Sequence, residues 1–369
     1  MKKERMPYID NIRSMTVIIV MIYHAFYIFN GVGVLGGVPV SDGVFIFDSF
    51  CTLVYPWFMI LLFCISGICA RYSLERRRAK EFLKERFCKL LIPSTIGVMA
   101  FHWIVGYINI RIGGGLEFIP DFLVYPISVL SGSGPLWFAH LAFLYSLIIS
   151  WLYRLDKNDK LYNTFEKAGK QIILLILVLL IWGSSQILNM PVITVYRFGI
   201  YFVSFLVGYF ILSHEKTKDE IEKMLPITAV LSVAFGVIYM LKFNGSNFAT
   251  DAVLKSFVTN AYAWFSVLCI IGLFKRYMNK HNKISRYISA NSFAYYVLHY
   301  PVVLIFGCLV YYYCELPLFA VILLTLTLEF AITIPLAHLL KKIPIIRFVL
   351  LGIRGKKNEI QTDNRQGKG

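Results

Sequence analysis

The strongest constraint on the fold is a succession of apolar segments that are each long enough to cross a lipid bilayer. About 20 apolar residues in a helix span the hydrocarbon core, and a spanning segment must be helical because no water is available there to pair its backbone groups. Only 16% of the 369 residues are charged, too few to cover soluble domains, which carry about 25%. The sequence therefore predicts an all-α, polytopic membrane protein of about ten transmembrane helices, at about 10–30, 52–73, 90–110, 136–153, 171–189, 192–213, 226–243, 257–275, 291–314 and 317–339.

The basic residues predict how these helices are oriented. Of the 37 Lys and Arg residues, most lie in the N-terminal segment, in every second loop and in the segment from residue 341; the exceptions are Arg13, Arg111, Arg197, Lys242 and Lys255. Cytoplasmic loops of membrane proteins accumulate Lys and Arg, so we expect both termini in the cytoplasm and the protein in the plasma (inner) membrane. The same bias accounts for the net charge of +16, which therefore does not indicate nucleic acid as a partner.

The chain is predicted to divide into a transmembrane domain, residues 1–340, and a basic cytoplasmic tail, residues 341–369. The tail is polar from Lys356 onward and is expected to be partly disordered. The seven cysteines are not in C-x-x-C spacing, so neither a disulfide framework nor a metal site is predicted.

The first helix carries the most informative polar residues, Asp10, Arg13 and His24. At about 100° per residue, the step from Arg13 to His24 comes within roughly 20° of three full turns, and it rises ~16 Å. Asp10 lies about 60° to the other side of Arg13 and too far from His24 for contact, so it is expected to pair with Arg13 or another cation. Ionisable side chains at membrane depth usually face a cavity and mark a site.

Two interpretations of this polar face remain open at this point. Asp10 and Arg13 could simply anchor the helix at the interface while His24 bonds a neighbouring helix, or the three could form a functional site. Other polar residues within predicted spans are open in the same way, either structural or functional: His102, His140, Arg197, His299 and Glu329.

The first helix, with its Asp10-x-x-Arg13-(x)10-His24 pattern, resembles that of the acyltransferase-3 family of integral membrane acyltransferases. Further motifs of that family are matched in the same order, over roughly residues 5–340, by Phe63–Gly67, Phe82–Pro93, Leu136–Phe138, Phe205–Tyr209 and Tyr295–His299. Within the second of these motifs, Lys89 stands where arginine is commoner.

The resemblance implies an O-acyltransferase that moves an acyl group, with acetyl favoured, from cytoplasmic acyl-CoA to a hydroxyl of an extracytoplasmic glycan or lipid-linked precursor. His24 would be the general base, since a neutral imidazole can take a proton from a hydroxyl. Acyl-CoA is then the donor substrate, with no permanently bound cofactor and no metal. The residues expected to bind the substrates are Asp10, Arg13, Arg86, Lys89, Trp137 and His299.

Two other functions fit the same polar face. A lipid or glycan transporter or flippase could use it to line a translocation path, although no internal repeat of the transporter kind is visible. A membrane scaffold could carry it for structural reasons alone. The sequence identifies neither the acceptor nor the oligomeric state.

Overall fold

The computed structural model describes residues 6–190, 197–280 and 282–353, and the regular secondary structure in these ranges is helical apart from one isolated bridge between Asn189 and Arg197. The main helices are α1 Pro7–Tyr27, α2 Phe45–Arg76, α3 Ala79–Ile112, α4 Asp121–Ser131, α5 Gly134–Leu155, α6 Gln171–Ser184, α7 Phe198–Leu212, α8 Glu215–Lys223, α9 Leu225–Phe243, α10 Phe257–Tyr277, α11 Lys283–Tyr313, α12 Leu318–Lys342 and α13 Pro344–Leu351. Short helical turns occupy Gly115–Phe118, Lys157–Asp159, Lys160–Thr164, Phe165–Gly169 and Asp251–Leu254.

Eight of the described helices are long and apolar enough to cross a membrane: α1, α2, α3, α5, α9, α10, α11 and α12. The pair α7 and α8 passes the same test together, with a bend of 100° between its members, and would be a ninth. The predicted span at 171–189 is the 14-residue helix α6, and the start of the predicted span at 192–213 lies outside the described residues. The all-helical membrane class is thus confirmed, whereas the number of ten remains a prediction.

Helix α1 is packed on several sides by other helices, namely α2, α10, α11 and α12. This surrounds its polar residues with protein; Asp10, Asn11 and Ser14 are all buried. We call the end of the bundle where α1 begins the basic end, and the end where α1 meets residues 28–44 the loop end. Helices α11 and α12 form a hairpin whose turn, at Cys314–Pro317, lies at the junction of the predicted spans 291–314 and 317–339.

The segment predicted as a basic tail contains ordered helix at its start. Helix α12 continues to Lys342, and α13 folds back against the first half of α3, burying Leu350 and Leu351. An amphipathic segment of this kind buries its apolar face instead of remaining solvated. Residues 354–369, the rest of the predicted tail, lie outside the described part of the chain.

Candidate active site

Arg13 and His24 both contact α11, one near each end of the bundle. The Nη2 atom of Arg13 donates to Oδ1 of Asp10 at 3.0 Å and to Oγ of Ser289 at 3.2 Å. Nδ1 of His24 lies 3.2 Å from Nε2 of His299. Since the two pairs are 11 residues apart on α1 and ten apart on α11, the two helices run parallel and in register over this stretch. The shared face predicted for Arg13 and His24 is thus the face that α1 presents to α11.

The hydrogen bonds of the two histidines fix which nitrogen of each ring carries the proton. Nδ1 of His24 lies 2.7 Å from the carbonyl oxygen of Val20, and Nδ1 of His299 lies 2.8 Å from that of Tyr296. Carbonyl oxygens only accept, so both Nδ1 atoms must carry a hydrogen when the rings are neutral. His24 Nδ1–H is then shared between Val20 and the lone pair on His299 Nε2. The lone pair of His24 is consequently on Nε2, where it can accept a proton.

The ring of His24 is surrounded by aromatic protein side chains. Its centroid lies 4.9 Å from that of Tyr300 and 5.1 Å from that of His299, and Tyr23 and Tyr27 also contact it edge-on. The residue is partly buried. The imidazole thus faces the interior of the bundle.

A cavity of about 940 Å³ opens at the basic end beside Arg13. Its charged lining is mostly cationic, and comes from helices that are far apart in the sequence. Six cationic side chains and two carboxylates line it: Arg13, Arg77, Lys84, Arg86, Lys89 and Lys341, with Glu81 and Glu85.

Part of this positive charge is already paired. Glu85 forms ion pairs with Arg77 and with Lys89, the latter at 2.6 Å, and Asp10 pairs with Arg13. The guanidinium of Arg86 lies over the ring of Phe82, 5.1 Å from its centroid. Cations remain in excess, and guanidinium groups match phosphate oxygens well, so this basic-end cavity is suited to an anionic ligand.

The basic-end cavity ends close to the histidine pair. Its innermost lining residues include Val17 on α1, Phe138 on α5 and Tyr296 on α11. Tyr296 precedes His299 by three residues, ~4.5 Å along the helix, and its hydroxyl donates to the carbonyl of Pro135. Neither His24 nor His299 is among the residues that line the cavity. About one helical turn of side chains therefore separates the cavity from the imidazoles.

The structure brings together some of the predicted site residues and separates others. Arg13, Arg86 and Lys89 line one cavity, and Asp10 holds Arg13. His299 contacts His24 and not the cavity. Trp137 is buried beside Tyr201, with ring centroids 5.3 Å apart, and also lies outside the cavity lining.

The cavity residues that the sequence did not assign to the site include Lys84, which lies within the Phe82–Pro93 motif, and also Ser289 and Lys341. Lys341 was assigned to the tail, yet it donates to Oδ1 of Asn291 across the wall of the cavity. Ser289 and Lys341 lie outside the matched motifs, and only the packing of α11 and α12 brings them to the cavity. In the described part of the chain, no group of three His, Cys, Asp or Glu side chains gathers that could hold a metal ion.

A second polar network closes the basic end of α2. The buried Arg71 binds both carboxylate oxygens of Asp159, at 2.8 and 2.9 Å, and also Glu75 at 2.9 Å. Its guanidinium lies 3.6 Å from the ring centroid of Tyr162. These hydrogen bonds from Arg71 hold the pKa of Asp159 below its usual value. Asp159 and the preceding Asn158 both adopt positive φ, which turns the loop back onto α2.

Comparison with models of protein families matches residues 6–335 to the family described as Acyl_transf_3, an acyltransferase domain. The match covers nearly the whole chain and includes the histidine pair and most of the basic-end cavity, although the cavity residue Lys341 lies beyond its end. No curated protein and no solved structure matches the chain.

Proposed function

The chain belongs to the acyltransferase-3 family, a family of membrane acyltransferases, and from that premise we propose that it moves an acyl group, with acetyl favoured, from acyl-CoA to a hydroxyl of an extracytoplasmic glycan or envelope precursor. The basic end faces the cytoplasm and the loop end the opposite side, in the plasma membrane, with both termini cytoplasmic. Acyl-CoA is a donor substrate and not a resident cofactor.

The basic-end cavity is the donor site in this proposal. The phosphates of acyl-CoA carry several negative charges, and six cationic side chains line the cavity. Arg13 and Arg86 offer forked donors to phosphate oxygens, which is the geometry that phosphate recognition favours. The uncharged arm of the donor then follows the apolar inner part of the cavity toward Val17, Phe138 and Tyr296.

His24 is the general base of the transfer. Its Nε2 lone pair takes the proton of the acceptor hydroxyl as that oxygen attacks the thioester carbonyl. The carbon–sulfur bond of the donor then breaks, and the proton passes from His24 to the departing CoA sulfur, so that atoms and charge balance. His299 holds the His24 ring in the required tautomer and is a positioning residue.

The observation that carries the proposal is the arrangement of α1. One helix places a guanidinium in a cationic cavity at one end, and ~16 Å further along it places an imidazole with a free lone pair just beyond the inner wall of that cavity. Acyl-CoA, with its phosphates at one end and its thioester at the other, matches both the cationic cavity and the imidazole.

The donor site can be tested by cysteine protection. Cys69 lines the cavity, whereas Cys314 is exposed at the loop end. In variants that retain one of these cysteines alone, acetyl-CoA should slow maleimide labelling of Cys69 and leave labelling of Cys314 unchanged. Equal labelling rates for Cys69 with and without acetyl-CoA would contradict the assigned donor site.

The reaction can be tested on cells that lack this chain. Their envelope glycans should contain fewer alkali-labile acetyl groups than those of the parent strain, and wild-type protein should restore the groups while His24→Gln should not. If the chain instead moves a lipid or glycan across the membrane, the unmodified glycan itself would be missing from the surface, and its movement would not require acetyl-CoA.

A further inference from the structure

Arg197 is a buried cation at the loop end for which the donor site offers no role. It directly precedes α7 and is only 3% exposed. Its Nη2 donates to the carbonyl oxygen of Leu254 at 2.9 Å, and its buried Nε has no hydrogen-bond partner among the described residues. Although this arginine lies close to the end of its helix, it therefore does not extend its charged group to solvent.

In the described part of the chain, no carboxylate forms an ion pair with Arg197. The nearby Asp251 pairs with Lys255 at 2.5 Å, and Asp48 accepts from the backbone nitrogen of Gly31. The preceding residues 191–196 contain no Asp or Glu in their sequence. An isolated charge is expensive to bury, so a guanidinium kept in such a place calls for an anion from outside the chain.

Two buried tyrosine hydroxyls lie on α2 and α9, and α2 contacts both α9 and α7, the helix that Arg197 precedes. In the described part of the chain, the hydroxyls of Tyr55 on α2 and Tyr239 on α9 are buried without a hydrogen-bond partner. Tyr239 stacks on Tyr262 with ring centroids 5.4 Å apart, and the Tyr262 hydroxyl donates to the carbonyl oxygen of Leu53, two residues before Tyr55. A buried hydroxyl without a partner is destabilising. The hydroxyls of Tyr55 and Tyr239 and the guanidinium of Arg197 can all donate hydrogen bonds. A bound group that accepts hydrogen bonds would supply the partner that this cluster of donors lacks.

This cluster is linked to the catalytic histidine by one layer of aromatic rings. Tyr55 stacks on Tyr23 with ring centroids 6.2 Å apart, and Tyr23 lies edge-on to His24 at 5.2 Å. The cluster is therefore on the loop-end side of the bundle, close enough to His24 for one extended molecule to reach both.

We propose that Arg197, Tyr55 and Tyr239 form a binding site for an anionic group, a phosphate or a carboxylate, carried by the acyl acceptor. The site would hold the acceptor by its charge while a hydroxyl elsewhere on the same molecule meets His24. This inference rests on the proposed acyltransferase function, and it narrows the acceptor class to molecules with one negative group at a distance from the acylated hydroxyl.

The test is a thermal-stability measurement on the purified protein in neutral detergent, with coenzyme A at saturating concentration to occupy the basic-end cavity. The probes are farnesyl phosphate and, as its uncharged match, farnesol; an alkyl glucuronide and the matching alkyl glucoside test a carboxylate source. The phosphate or the glucuronide should raise the melting temperature by about 2–5 °C more than its neutral match does. The probe that stabilises the protein identifies which of the two anions the site takes.

Variants assign this shift to the cluster. Arg197→Gln should abolish the difference between the charged and neutral probes, whereas Arg111→Gln, which removes an exposed arginine, should retain it. Tyr239→Phe should reduce the probe affinity about tenfold or more. The melting temperature of the ligand-free protein should stay unchanged or rise, because the Tyr239 hydroxyl has no hydrogen-bond partner in the described part of the chain.

Three results would overturn the inference. These are equal shifts for charged and neutral probes, a full shift in Arg197→Gln, and a large loss of ligand-free stability in Tyr239→Phe, which would make that hydroxyl structural. Failure of the proposed function itself is distinguishable, since coenzyme A would then not stabilise the wild-type protein before any probe is added.

Discussion

The two ends of α1 lie in contrasting surroundings. At the basic end, Arg13 borders an open cavity with five other cations, and its side chain is 40% exposed. Toward the loop end, His24 is enclosed by tyrosine rings and a second histidine, and its Nδ1 is held by a backbone carbonyl. The first region can exchange a charged ligand with solvent, whereas the second holds a neutral ring in one orientation.

If the chain acts as proposed, this difference predicts that the basic end of α1 contributes to donor affinity and that its loop end contributes to the chemical step. Substitutions at the two ends should consequently have kinetically distinct effects. Those at the basic end should raise the KM for the donor, and those near His24 should lower kcat. The following four experiments can separate the two ends or show that they act as one.

The largest effect is expected for His24→Gln. Loss of a general base typically lowers the rate by 10²–10⁴-fold, and glutamine can still donate to the carbonyl of Val20, so the fold should persist. Acetyl transfer from radiolabelled acetyl-CoA in membrane vesicles measures the rate, and acetyl-CoA protection of Cys69 measures donor binding. Protection should be unchanged, and transfer at the wild-type rate would remove His24 from the mechanism.

A smaller loss, about 10–100-fold in kcat, is expected for His299→Gln, because this residue acts only by orienting His24. The decisive comparison is the double variant. When His24 is already glutamine, changing His299 should cost no further activity, since the two residues act as a unit. Additive losses in the double variant would instead give His299 a role of its own.

At the other end, Arg86→Gln should raise the KM for acetyl-CoA about tenfold and change kcat little, because it removes one charge-assisted hydrogen bond to a phosphate. Steady-state kinetics over a range of acetyl-CoA concentrations check this. Arg111→Gln, at an exposed position outside the cavity, is the matched control and should keep the wild-type KM. An unchanged KM in Arg86→Gln would mean that the donor phosphates bind elsewhere.

The smallest effect concerns stability and not activity. Asp159→Asn should reduce the free energy of unfolding by about 1 kcal/mol, a figure kept low because the Asp159 side chain is 39% exposed. Since its pKa is lowered in the folded state, its contribution is present above its ordinary pKa of about 3.9 and is lost as the pH falls below that value.

The difference in melting temperature between wild type and Asp159→Asn should therefore be largest near pH 6 and shrink progressively as the pH falls below the ordinary pKa of Asp159 toward its lowered folded-state pKa. Glu166→Gln serves as a control, since Glu166 forms only an exposed ion pair with Lys216 and should not change the melting temperature measurably. A difference that is as large at pH 3 as at pH 6 would show that packing, and not charge, is what Asp159 contributes.

Much of the fold follows from the sequence because membrane helices are specified by length and hydropathy alone. The spans assigned at 10–30, 226–243 and 257–275 lie within a few residues of α1, α9 and α10. Helical periodicity likewise placed Arg13 and His24 on one face. The prediction is weaker around 171–213, where short helices and a 100° bend depart from the simple spanning length.

The sequence could not specify the partners of these residues, because they come from helices more than 200 residues away. Ser289 and Lys341 carry no local signal for a cavity, and only the packing of α11 and α12 against α1 brings them to it. Trp137, which the resemblance places among the substrate-binding residues, stacks on Tyr201 and lies outside the cavity lining, so its role in binding stays a prediction.

Helices α1 and α11 are joined by polar side-chain contacts at two points, between Arg13 and Ser289 and between His24 and His299. These two contacts oppose both the sliding and the rotation of the parallel helices relative to each other. A phosphate that bound the Arg13 guanidinium in place of Ser289 would break the first contact. The contact between His24 and His299 would then be the remaining one of the two. Under the proposed function, donor binding at the basic end would therefore change the constraints on the orientation of the His24 ring.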